Sequence, residues 1–278
     1  MTTNTIDFPM QSSLDKCLVS LSFDDGRIDN YTIAYPILRK MGMPATFNIT
    51  TGFVSNKLKP GNPTDVKPMS MDMVKELFSN KAFEIAGHGW AHQNDIEDID
   101  KGFKELKTSL GADRLTTWGD GFASPGTGLS AETWQKLIRD GKHNIRYARV
   151  SLRYKSHRML KTLTRKASRV LRLPCLYRMA YQDTLMDSVE GGLLYSIPVL
   201  SSITVNELKA VIRHAMKTKQ AVVLMFHSIV PDGKTHDNWD YESGKFTAFC
   251  DFLKQQEGDG RLQVCTSMEL WRQLTKEK

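Results

Sequence analysis

The 278-residue sequence has no run near the roughly 18 consecutive apolar residues that a membrane-crossing helix requires. Its first residues, Met1 to Met10, offer neither a basic start nor an apolar stretch. No secretory signal is read there and a cytoplasmic location is expected. A chain trimmed of its signal, and hence secreted or periplasmic, would read the same. Cysteine is scarce: Cys17, Cys175, Cys250 and Cys265 lie far apart without a C-x-x-C pair, which argues against a disulfide framework and a thiolate zinc site. No internal repeat or low-complexity linker divides the chain. Acidic residues are missing from one long segment. Between Gly141 and Gln182 stand 12 Lys or Arg and no Asp or Glu, leaving 26 basic against 31 acidic residues elsewhere. The overall charge of +7 belongs to that segment. No nucleic-acid-binding motif accompanies it, so specific nucleic-acid recognition is not expected. What remains is ordinary for a folded protein, 40% hydrophobic and 25% charged. That composition allows one ample core, and an α/β barrel occupies roughly 200–250 residues as one unit.

The apolar patterning alternates between two periods. Cys17 to Phe23, Ala45 to Ile49, Ala82 to Ala86, Ile145 to Val150, Ala221 to Phe226 and Leu262 to Cys265 read as strands. Between them, helices are expected over Asn30 to Met41 (stopped by Gly42 and Pro44), Met71 to Phe78 behind Ser70, and Ser130 to Arg139. Others follow over Leu208 to Met216 behind a Thr204/Glu207 capping box, over Phe246 to Gln255, and behind Ser267. Strands alternating with helices imply a parallel sheet, open or closed into a barrel, with reactive groups gathered where strands end.

Three strand ends carry chemistry. Asp24-Asp25 closes an apolar strand before Gly26; both carboxylates serve one site only if the chain turns there, and an acidic turn is the plainer reading. His88 and His92 are spaced i, i+4, which puts two imidazoles on one face of a helical turn, although the glutamate of H-E-x-x-H is absent. His227 closes the run Val222 to Phe226 and is either structural or a proton carrier. One aspartate and two histidines make an N,N,O ligand set with open positions, suited to hydrolytic zinc and to other divalent ions. A second carboxylate and a third histidine remain for proton transfer, enough for metal-assisted hydrolysis.

At these residues the sequence resembles the polysaccharide deacetylases, or NodB-homology carbohydrate esterases. Ser22-Phe23-Asp24-Asp25-Gly26 is similar to their first motif, His88 to His92 to their H-x-x-x-H motif, and Leu224-Met225-Phe226-His227 to their late L-x-x-H motif. The resemblance spans about residues 16–272. It implies a distorted (β/α) barrel forming one catalytic domain over 1–278, with a basic helical insertion about 151–180. It further implies Asp25, His88 and His92 as metal ligands, Asp24 as general base, His227 as general acid, and Leu224 in the slot for the acyl methyl. The implied reaction removes an acetyl group from a carbohydrate with one divalent ion, zinc first. An amidase or deformylase acting on a small or nucleotide-linked substrate, and an inactive carbohydrate-binding barrel, are the alternatives.

Two family features are missing. Phe122-Ala123-Ser124-Pro125-Gly126 lacks the arginine that pairs with the base, leaving Asp24 without a cationic neighbour, and no aspartate–tryptophan motif follows. Asp183 and Asp187 are candidates for the lost carboxylate. Pro125, Trp90 and Trp239 are candidate substrate contacts, the tryptophans by stacking on a sugar face or else by packing. His236 and Asp237 read as a solvated loop, and Trp118 as packing. In the basic segment 141–182, Met159, Leu160, Leu163, Val170 and Leu171 recur at helical spacing. One helix is expected, its apolar face either packed on the barrel or available with its charges to an anionic partner, such as an acidic glycan or a membrane surface.

Overall fold

Apolar runs buried on both faces form the parallel strands of this chain, and amphipathic segments cover them. The protein is described from a computed structural model over residues 14–60, 67–111, 120–126, 128–140, 143–153 and 158–276. Met1 to Met10, Trp118 and residues 154–157 of the basic segment lie outside the described residues. The first half runs β1 (Cys17–Phe23), α1 (Tyr35–Met41), β2 (Ala45–Ile49), α2 (Thr51–Val54), α3 (Met71–Ser79), β3 (Phe83–Gly87), α4 (Ile96–Leu110), β4 (Asp120–Ala123), α5 (Ala131–Asp140) and β5 (Ile145–Val150). The second runs α6 (Arg158–Leu171), α7 (Pro174–Tyr181), β6 (Leu193–Pro198), α8 (Val205–Thr218), β7 (Ala221–Phe226), β8 (Ser228–Val230), β9 (Asp240–Glu242), α9 (Ser243–Gly258), β10 (Leu262–Val264) and α10 (Ser267–Thr275).

Strands β1 to β7 pair in chain order, all parallel, and β1 also pairs with β7 from Leu18/Ala221 to Phe23/Phe226, closing a seven-stranded barrel. Only Ser22 and Phe23 of β1 reach β2, so β10 fills the gap beside Cys17 to Val19. Strand parity sorts the side chains. Val19, Leu21 and Phe23 join Phe47, Ile85, Leu224 and Phe226 in the apolar layer under the helices. Ser20, Ser22 and Asp24 take the other side. There Ser20 bonds Ser267 at 2.9 Å, and Asn48 Nδ2 donates to Ser22 Oγ at 2.8 Å.

The lower interior is closed by a buried carboxylate. Glu84 accepts from Thr46 Oγ1 (2.8 Å), Tyr147 Oη (2.7 Å) and the Met268 amide (2.9 Å). The last lies in the first turn of α10, where the helix dipole favours negative charge. Desolvation pushes the Glu84 carboxyl up, and these donors offset part of the rise.

Local signals act as read from the sequence at most helix ends. Ser70 accepts from the Met73 amide, the Thr204/Glu207 capping box is complete, and Gly42 ends α1 at φ 63°. The helix expected from Asn30 begins as a π-turn over Asn30–Ala34, and the last helix is capped by Thr266, one residue before Ser267. The basic segment departs most. It forms two helices, because Arg172 turns into the left-handed region (φ 51°) and Pro174, which has no amide hydrogen, opens the second. The apolar side of α6 does not pack on the barrel: Met159 and Val170 are each 80% exposed.

Candidate active site and metal centre

The turn after β1 brings both carboxylates to one end of the barrel. Asp25 and Gly26 both adopt φ 72°, a region that costs a residue with a Cβ. Glycine is needed at 26, where a Cβ would lie 2.8 Å from Val54 Cγ1. Asp25 is held through one oxygen: Arg27 Nε and Nη2 approach Oδ2 at 2.9 and 2.8 Å, and Arg27 Nη1 is anchored on Ser228 Oγ at 2.8 Å. Its Oδ1 is left facing His88 Nε2 at 3.4 Å and His92 Nε2 at 3.2 Å. Burial opposes the charge on Asp25, but the donors and cations around it, His92 and Arg27 among them, hold the carboxyl well below the usual range.

His88 and His92 meet without the helical turn expected for them. Residues 88–92 form an irregular bend, with positive φ at Gly89 (77°) and His92 (63°). The Asp98 carboxylate pins that bend by accepting from the Trp90, Ala91 and Gln93 amides at 3.0, 2.6 and 3.0 Å. The fully buried His88 ring faces the Ala123 carbonyl through Nδ1 at 2.7 Å, which makes Nδ1 the protonated nitrogen and leaves a lone pair on Nε2. Thus His88 Nε2 and Asp25 Oδ1, two buried acceptor atoms, face one another with no hydrogen-bond partner. One ligand atom from each of Asp25, His88 and His92 lies within 4.8 Å of the others. A cation among them satisfies all three, so this donor set fits a divalent metal ion.

Asp24 is buried, and each of its oxygens accepts from a neighbouring side chain. Asn48 Nδ2 reaches Oδ1 at 2.8 Å, and Arg149 Nη2 reaches Oδ2 at 2.6 Å while its Nη1 bonds Ser196 Oγ at 3.0 Å. Desolvation opposes ionisation of Asp24, and the Arg149 guanidinium leads the interactions that outweigh it, so its carboxyl lies below the ordinary value. The expectation of a base without a cationic neighbour is therefore corrected. Ser124 stands on the cavity wall in the altered third motif, and the guanidinium comes from the next strand, β5. The sequence carries a signal for it: Tyr147 and Arg149 share one face of a strand, so Arg149 belongs to the sheet as well as to the basic segment.

These groups line a cavity of about 560 Å³, walled also by Phe53, Met225, His227 and Trp239. The His227 ring packs on Trp239 with centroids 4.2 Å apart, and its Nδ1 is buried without a partner. Desolvation pulls this imidazole down to about 4, with Asp25 and Asp24 opposing the drop. Other expected contacts fall elsewhere. Leu224 faces the helices and is 1% exposed; Met225, on the opposite strand face, lines the cavity instead. Trp90 turns away toward α4, where its Nε1 donates to Glu105 at 2.8 Å and Lys101 lies over the ring. Pro125 is buried beside the cavity and offers its carbonyl to Asn94 at 2.6 Å, while its neighbours Ser124 and Gly126 form the wall. Asp183 pairs with Lys161 at 3.5 Å and Asp187 accepts from Ser188, and neither of these candidates for the lost carboxylate lines the cavity. His236 and Asp237 do not line the cavity, in keeping with a solvated loop.

Behind Arg27, Asp29 accepts from the Ile229 amide at 3.0 Å, and burial raises its carboxyl to about 6. The unfolded chain releases this proton near the ordinary 3.8, so stability falls as pH rises between about 4 and about 6 and is level above. Asp29→Asn keeps an acceptor for Ile229 and removes that loss. It should stabilise the protein by up to about 3 kcal/mol at neutral pH and by little near pH 4, read from melting temperatures across the range.

The closed parallel barrel with this rim has the NodB-type (β/α) architecture. The family model described as polysaccharide deacetylase matches residues 11–149, half of the chain, and the chain belongs to that family. Among solved structures, the Bc1960 peptidoglycan N-acetylglucosamine deacetylase shares the fold at TM-score 0.52 and 13% identity, over 95% of this chain and 92% of that one. A family 4 carbohydrate esterase from Bacillus anthracis aligns at TM-score 0.48 and 14% identity, over 96% and 87%. IcaB from Ammonifex degensii aligns at 24% identity and TM-score 0.38 over 46% of this chain, and this chain spans 57% of IcaB's length. No curated protein sequence matches the chain.

Proposed function

We propose that this chain is one catalytic domain that hydrolyses an acyl group, acetyl first, from a carbohydrate. It would use one divalent ion, zinc by preference, held by Asp25, His88 and His92. The observation that carries this reading is the convergence, in one cleft, of the partnerless Asp25 Oδ1 and His88 Nε2 with Asp24 and His227. When bound, the ion would polarise the acyl carbonyl and acidify a water molecule. Asp24 is the base, kept ionised and aimed by Asn48 and Arg149. His227 is neutral at rest because of burial; as negative charge develops beside it, its proton affinity rises, so that it takes up a proton from solvent, passes it to the departing amine or alkoxide and returns to the neutral form, while Asp24 releases to solvent the proton it took from water. Phe53, Met225 and Trp239 supply the apolar wall for the acyl methyl and the sugar face.

His227→Ala should lower kcat by roughly 10²–10⁴-fold while metal content is unchanged, measured by steady-state kinetics beside elemental analysis. The reaction class is tested by screening metal-loaded protein for acetate and formate released from N- and O-acetylated glycans, formamides and cyclic amides. Acetate from glycans supports the proposal. Formate release or cyclic-amide opening alone would reassign the enzyme to the amidases, and no product from a protein with its metal bound would make it a binding barrel.

A further inference from the structure

Helix α6 is mounted with its amphipathic faces reversed. Its residues sort at 3.6 per turn into an apolar arc of Met159, Leu160, Leu163, Val170 and Leu171 and a polar arc that includes Lys161, Arg165 and Ser168. The polar arc faces the protein. Ser168 is fully buried, and Lys161 is fixed by Asp183 at 3.5 Å and by the Met179 carbonyl at 2.9 Å. The apolar arc faces outward, with Leu160, Leu163 and Leu171 each more than half exposed and Met159 and Val170 more so. Leu173 in the turn and Met179 in α7 are exposed as well. Every large apolar side chain exposed among the described residues falls between 159 and 179. A contiguous patch of this kind marks an interaction surface.

Charge decides what covers it. Lys166 and Arg172 are exposed beside the apolar arc, and the sequence from 141 to 182 holds no acidic residue. Pairing this face with the same face of a second copy would bring two basic surfaces together with no opposite charge between them, which is repulsive. An anionic bilayer satisfies both features at once, since acyl chains receive the apolar arc and headgroup phosphates receive the cations. No helix among the described residues is long and apolar enough to cross a membrane, so the segment would lie on the surface. We propose that α6, with the turn into α7, docks this protein on the surface of an anionic phospholipid bilayer. The two helices are inserted between β5 and β6, and Ser151, the residue after β5, lines the cavity, so the docking segment departs from the rim of the cleft.

The test is flotation of the full chain with phosphatidylcholine vesicles with or without phosphatidylglycerol, at low and high salt. One variant pair, Leu163→Gln with Val170→Gln, removes apolar contact; the other, Lys166→Glu with Arg172→Glu, reverses charge. All four side chains are exposed, so melting temperature and acyl-hydrolase activity on soluble substrate should match the parent. The parent should partition onto phosphatidylglycerol vesicles and much less onto neutral ones, and each pair should lower its partition coefficient roughly tenfold or more. High salt should weaken the parent's binding. Equal partition with and without phosphatidylglycerol, or partition unchanged in both variant pairs, would overturn the proposal. So would a dimer by sedimentation that Leu163→Gln with Val170→Gln dissociates while the parent ignores vesicles; that result would give the face to a second copy.

Discussion

Arg149→Met should produce a protein that is both destabilised and nearly inactive. Asp24 and Arg149 are each almost wholly buried and joined at 2.6 Å, so removing the cation leaves an unpaired carboxylate in a dry interior. Breaking such a pair costs about 3–5 kcal/mol. The effect on the base has a definite sign. Arg149 lowers the Asp24 carboxyl, and its loss lets desolvation raise it, so the acidic limb of the pH–rate profile should move to higher pH. Arg149→Lys should restore part of the stability and part of the limb, since it keeps the charge and loses the second bond to Ser196. Adding Asp24→Asn to Arg149→Met should recover stability without activity. A melting temperature and acidic limb identical to the parent in Arg149→Met would show that the guanidinium neither holds nor tunes Asp24.

The second large effect is on metal content. His88→Ala with His92→Ala removes both nitrogen donors and leaves Asp25 paired only with Arg27. The parent is expected to carry about one divalent ion per chain, and in this variant bound metal should fall to background by elemental analysis. Hydrolysis should fall at least about a hundredfold, and zinc, which should raise the melting temperature of the parent, should leave that of the variant unchanged, because only a folded state that binds the ion is stabilised by it. Undiminished metal in this variant would move the ion elsewhere.

Much of the architecture is legible in the sequence because burial on both faces writes continuous apolar runs, as in β1, β2 and β7. Strand β4, the four residues Asp120–Ala123, carries no such run and is not among the strands expected from the sequence, nor are β6 and α4 among the expected elements. The Asp-Asp and His-His spacings were legible as text, whereas their convergence depends on left-handed residues and on the Asp98 clamp, which arise from the folded loop. Arg149 shows the limit most clearly. It lies 125 residues from Asp24, and a motif search looks for its guanidinium one strand earlier. Strand parity already favours Met225 over Leu224 as the residue facing the cavity, since Leu224 shares its face with the helix-packed Phe226. For α6 the period was readable, but which arc faces outward was not, because the burial of Ser168 and the Lys161–Asp183 pair are long-range outcomes.

Whether Asp24 is the base of a metal-dependent acyl hydrolase is measured directly by acetate release from an acetylated glycan by metal-loaded parent and Asp24→Asn proteins, with bound metal quantified in both. The parent should release acetate, the variant should lose roughly 10²–10⁴-fold in rate, and the two should hold equal metal. Equal turnover by Asp24→Asn, or no release by a parent carrying its full complement of metal, would contradict that role.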